Sequence, residues 1–126
     1  MNSSSALGYS GSWKKIALTA AATGTQGSWQ NNTGKTVLVQ AVIDVTTVAT
    51  GAATLDIGRA ATAVTSDTLM DGIDVNAAIG QFSSGVGTNG RSFRKVAAGE
   101  YVTVFRASGD PTGMVANLYV HVIEID

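Results

Sequence analysis

The chain has 126 residues, 44% hydrophobic and only 13% charged, with 15 Gly, one Pro, no Cys and a formal net charge of −1. That length fits one domain, which buries roughly two-thirds of its unfolded surface and so builds a core without staples. The lack of Cys excludes disulfides, thiolate metal sites and thiol nucleophiles, and the charge balance excludes the basic footprint of a nucleic-acid binder.

Residues 1–12 are small and polar, interrupted only by Leu7 and Tyr9. Such a segment has too little apolar surface to hold itself in place. It is read as an extended N-terminal arm with Leu7, Tyr9 and Trp13 as spaced anchors, followed by a single domain over residues 13–126. Lys14-Lys15 and the apolar stretch 16–22 imitate a secretion signal only faintly, because polar residues precede the charge and Thr19 breaks the run. No apolar run approaches the roughly 20 residues of a spanning helix, so no membrane partner is expected.

From Trp13 onward the pattern has period two. A first strand is expected over 16–20. Trp29, in Gly27-Ser28-Trp29-Gln30-Asn31, falls in a polar loop or short strand, as a lid over the core or as a contact residue. Asn31-Asn32-Thr33-Gly34 signals a turn. The clearest strand follows at 35–45, with Val37, Val39, Ala41, Ile43 and Val45 on one face and Leu38, Gln40, Val42 and Asp44 on the other. Further strands are expected at 53–59, 91–97, 101–107 and 115–125, with turns at Gly51, 98–100 and 109–113. Only residues 66–80 offer helical material, and Gly72 and Gly80 break it into short turns. Many short strands and almost no helix predict an all-β, antiparallel β-sandwich of jelly-roll type.

The last strand is apolar on both faces. Leu118, Val120 and Val122 alternate with Tyr119, His121, Ile123 and Ile125. A strand with one wet face should alternate cleanly, so a second covering layer is expected. It comes from another subunit in a homo-oligomer, or alternatively from a loop over residues 76–92.

No arrangement of residues specifies an enzyme, a cofactor or a metal. Gly85-Val86-Gly87-Thr88-Asn89-Gly90 satisfies G-x-G-x-x-G, yet strand-like Arg91-Ser92-Phe93-Arg94-Lys95-Val96 follows where a dinucleotide site requires a helix. Asp67, Asp71 and Asp74 gather oxygen ligands, but their spacing matches no calcium loop and turn roles suffice. His121, the single His, lies mid-strand rather than at a loop or strand end, which suits packing or an interface better than catalysis. Glu100 and Asp110 sit beside turns. Arg91, Arg94 and Lys95 form a local basic run suited to an acidic partner surface. Trp13 and Trp29 also leave open a tail- or fibre-associated module that binds a receptor or carbohydrate.

The stretch 37–65, with Ala41-Val42-Ile43-Asp44-Val45-Thr46-Thr47 leading to Gly51-Ala52-Ala53-Thr54-Leu55-Asp56-Ile57-Gly58, resembles small structural proteins of tailed bacteriophages. So do Ser66-Asp67-Thr68-Leu69-Met70-Asp71-Gly72-Ile73-Asp74-Val75 and the run from Gly87-Thr88-Asn89-Gly90 into Val96-Ala97-Ala98-Gly99-Glu100-Tyr101-Val102-Thr103-Val104. The similarity spans residues 35–122 and is strongest to capsid decoration (cement) proteins. It implies a virion component on the capsid surface, a trimer of β-sandwiches whose partners are the major capsid protein and itself. The terminal arm of such a protein grips the shell.

Overall fold

The computed structural model describes residues 10–125, with the side chain of Ser10 left aside. Nine strands follow one another: β1 (Ser10–Ala17), β2 (Thr25–Gln30), β3 (Val37–Thr47), β4 (Ala53–Ala60), β5 (Met70–Asp74), β6 (Gly80–Ser83), β7 (Arg94–Val96), β8 (Tyr101–Gly109) and β9 (Val115–Glu124). All pair antiparallel, in two sheets. The first sheet has the order β1-β9-β3-β6, with β7 following β6 along the same edge of β3; the second has the order β2-β8-β4-β5.

The pairing is nested. The first strand pairs with the last, β2 with β8, β3 with β6 and β7, and β4 with β5. A long hairpin, rolled so that successive pairs fall alternately into two sheets, gives this order. It is the jelly roll, built on Greek-key connections.

Period-two patterning decides which side chains meet between the sheets. Val37, Val39, Ala41, Ile43 and Val45 of β3 are buried, as are Leu118, Val120 and Val122 of β9, Leu55 and Ile57 of β4, and Val102 and Val104 of β8. β-Branched residues dominate this core because they fill a pleated surface with little loss of rotamer freedom. At the end of the sandwich Asn31, fully buried, donates from Nδ2 to the carbonyls of Lys35 and Val96 at 2.9 Å each and accepts from the Thr33 amide at 3.1 Å. The expected turn before β3 is therefore built around one satisfied amide.

Two short strands were not legible. Residues 70–74, read as turns, form β5 against β4, and residues 80–83 form β6 against β3. Each is too short, and too interrupted by Gly72 or Gly80, to show alternation; the neighbouring strand supplies the template. The loop alternative for the second layer is also answered. Residues 80–83 widen the first sheet at its edge instead of folding over β9. At the other end, β1 opens at Ser10, opposite Glu124, so the sheet takes in Ser10, Gly11 and Ser12 of the segment read as an arm.

The glycine-rich run closes one side of the sandwich. Residues 84–92 pass from the edge of the first sheet to that of the second, where the Gly85 amide donates to Leu69 O (2.8 Å), Asp71 N to Val86 O (2.9 Å) and Arg91 N to Thr68 O (3.1 Å). At Gly87, with φ +85°, a Cβ would strike the Asp71 carbonyl. Glycine is required there by close backbone approach, which leaves no phosphate cradle.

Candidate functional site

The alternation that buries one face of β3 and β9 sends the other outward. On the first sheet this outer face carries Leu38, Gln40, Val42 and Asp44 of β3, and Asn117, Tyr119, His121 and Ile123 of β9, all half-buried. Register sets them in rows: Leu38 beside Ile123, Gln40 beside His121, Val42 beside Tyr119. β1 extends each row, placing Gly11 beside Ile123, Trp13 beside His121 and Lys15 beside Tyr119.

The central row forms a unit. The rings of Trp13 and His121 stack with centroids 4.5 Å apart and planes 12° from parallel. His121 Nδ1 lies 2.8 Å from Gln40 Oε1. The imidazole is thus held in one orientation by an indole on one strand and an amide on another. Trp13 nevertheless remains 53% exposed. Apolar pairs flank this row on both sides, so the face reads as an aliphatic and aromatic stripe with a polar centre. Its charges, Lys15, Asp44 and Lys95, belong to β1, β3 and β7, with Lys95 opposite Leu38. Depletion of charge around aromatic anchors is the usual composition of an interface core.

Four strands abreast and about eight residues long present roughly 500 Å². That falls short of the about 800 Å² per partner of a standard protein interface. One such contact is modest; a repeated array of them is strong.

The structure unites Trp13, Tyr119, His121 and Ile123 of the residues singled out from sequence. Ile125, 44% exposed, follows β9 at its end. The basic run is not one patch. In β7, Arg94 opposes Val39 of the core side while Lys95 opposes Leu38 of the outer side, and Arg91 lies in the closing loop with its guanidinium donating to Gly90 O at 3.0 Å. Trp29 belongs to β2, opposite Val102, and packs against the core. Leu7 and Tyr9 lie outside the described residues. Sequence reading passed over Leu38, Gln40 and Val42 as site residues, although they already stood on the second face of the clearest strand.

The acidic residues serve the turns. Asp67 Oδ2 accepts from Asn89 Nδ2 at 3.0 Å, Asp71 Oδ2 from Asn89 N at 3.1 Å, and Asp74 Oδ1 from Asn76 N at 2.9 Å. Among the described residues no three metal-ligating side chains gather. Partial burial pushes the Asp56 carboxyl above its usual range; the Gly72 amide pulls it back, and the charges of Asp71 and Asp67 add to the rise. Asp110 is held low by hydrogen bonds from the Thr112 hydroxyl and amide. Glu100 pairs with Arg59 at 3.1 Å and accepts from Ala97 N at 2.8 Å.

No protein-family model matches the sequence, and no curated protein matches it. Solved structures do. A chain of the structure described as "Capsid of Ralstonia phage GP4" is 22% identical, covering 94% of this chain and 85% of that one, with a TM-score of 0.58. A chain of the "Acidic stable capsid structure of Helicobacter pylori bacteriophage KHP30" is 10% identical over 94% of this chain and 89% of that one, at 0.59. A third, from the "Cyanophage Pam1 capsid asymmetric unit", is 17% identical over 91% and 82%, at 0.52. The shared feature is the fold. It is a fold found in phage capsid structures, and it runs through nearly the whole chain.

Proposed function

We propose that this chain is a capsid decoration (cement) subunit of a tailed bacteriophage, bound at the capsid surface, where it bridges neighbouring copies of the major capsid protein. The observation that carries this reading is the jelly roll shared with three phage capsid structures over at least 91% of the chain. The outer face of the first sheet supports it, since among the described residues no segment covers Trp13, Leu38, Val42, Tyr119 and Ile123, which are left partly in water. Completing the burial of each is worth about 1 kcal/mol, half of what a large apolar side chain gains in full. The proposed action is mechanical: contacts repeated over the shell raise the barrier to separating capsid subunits. Self-association into a trimer around this face belongs to the same proposal. So does a grip by Leu7 and Tyr9, which precede β1 at the edge of the first sheet.

Addition of the purified chain to undecorated shells tests the reading, with the bound copies counted per particle. Many tens of copies, together with a higher pressure or temperature of shell rupture, support it. A count of about six or fewer, the multiplicity of a single symmetric ring, would move the protein to the tail or portal.

A further inference from the structure

We propose that the groove between the β1 and β2 edges of the two sheets, which among the described residues no segment fills, binds an acidic sugar, with Trp29 as its platform and Lys14 as its anion contact. β1 is the outermost strand of the first sheet and β2 that of the second. Residues 84–92 close the opposite side, whereas here Lys14 and Trp29 line an opening of about 350 Å³ together with Gln30, Asn32 and Thr33. That volume lies at the small end of the roughly 300–1,000 Å³ of ligand sites, the size of a mono- or disaccharide.

The lining has the chemistry of sugar recognition. Lys14 opposes Val120 and Trp29 opposes Val102, so both side chains enter from the inward faces of their sheets. Trp29 packs on the core yet stays half-buried, leaving part of its ring to the groove. The negative face of an indole attracts the C–H face of a pyranose. Gln30 opposes Tyr101 on the other face of β2 and donates from Nε2 to Gly99 O at 3.1 Å, so it borders the groove without reaching into it. Asn32 is exposed and supplies the amide of the lining.

The lining holds one cation and no carboxylate. A single ammonium as a point charge suits one sugar carboxylate; a phosphate is usually met by several donors or a bidentate guanidinium. The groove opens at the sandwich edge, and Lys14 faces away from the outer-face row of Trp13 and His121. The inference is therefore independent of the docking role and survives its failure.

The test follows the Trp29 indole N–H by NMR while methyl β-glucuronide, methyl β-glucoside or inorganic phosphate is added. The glucuronide shifts the Trp29 signal and leaves that of Trp13 in place. Lys14→Ala weakens the glucuronide about five- to tenfold, the loss of one charge-assisted contact, and leaves the weaker glucoside unchanged. Asn32→Ala weakens both. Lys14 and Asn32 are exposed, so these variants keep the fold. Absence of any Trp29 shift with either sugar, an equal glucuronide affinity in Lys14→Ala, or displacement of the sugar by phosphate at equal concentration would overturn the proposal.

Discussion

The two sheets of this jelly roll share an inner core but treat their outer faces in opposite ways. The second sheet is covered at its centre by its own chain. The segment between β4 and β5 folds across it, where Thr103 Oγ1 donates to Val64 O at 2.8 Å and Ser66 Oγ to Arg59 O at 2.8 Å. Thr103 is fully buried beneath that segment, and a Cβ on Gly58 would collide with Ser66 Oγ and lie 2.6 Å from Thr68 N. The outer face of the first sheet is larger in apolar content, and among the described residues no segment crosses it. A face that is polar apart from Tyr101 and Phe105 is covered at its centre from within; among the described residues the more apolar one is left outward. Burial of apolar surface is the stronger drive, so leaving it unroofed makes sense where the roof is another molecule.

Substitutions on the two faces should separate assembly from folding. The largest effect is expected from Tyr119→Asp combined with Ile123→Asp. Two charges on the apolar stripe should lower shell attachment or self-association at least about a hundredfold, as loss of central interface anchors does. Light scattering and particle sedimentation measure it. Attachment equal to the unmodified chain would remove this face from the docking role.

On the roofed side, Gly58→Ala should destabilise the monomer by about 2–3 kcal/mol, because the added methyl forces the covering segment off the sheet. Urea unfolding reads this directly, and shell binding at a permissive temperature should be unchanged. Thr103→Val should cost about 1 kcal/mol, since the Val64 carbonyl loses its buried donor. Limited proteolysis within residues 61–68 should accelerate in the same variant.

The smallest effect concerns Asp56. Its folded-state carboxyl lies above the unfolded value, so ionisation disfavours the fold, and stability declines as pH rises from the unfolded carboxylate range through the raised one. Asp56→Asn keeps an acceptor for the Gly72 amide, which reaches Asp56 Oδ1 at 2.9 Å. The variant should therefore gain stability near neutral pH and lose that gain in acid. Solvent screening limits the gain to a few tenths of a kcal/mol. Thermal melts at pH 7 and pH 3 give the sign.

Much of this organisation could be read from residue order. Period-two order announced the strands expected at 35–45 and 115–125, the two faces of each and the apolar character of both faces of the latter. Alternation is local, so it survives translation into structure. β5 and β6 were invisible because four or five residues broken by glycine carry no period of their own; pairing with β4 and β3 makes them strands. The basic run misled for a related reason. Neighbours in sequence are opposites in a pleat, so Arg94 and Lys95 part company as soon as β7 forms.

The candidate face and the groove divide in the same manner. Apolar character on both sides of β9 was written in its residues, and with it the need for a covering layer. Which strands would lie beside it was not, because register across Trp13, His121 and Gln40 joins positions 13, 121 and 40, far apart along the chain. The meeting of Lys14 with Trp29 likewise required two sheets to stack with their β1 and β2 edges side by side. Local periodicity determined the long strands and their faces; long-range pairing made β5 and β6 strands and decided which faces were covered and which residues became neighbours.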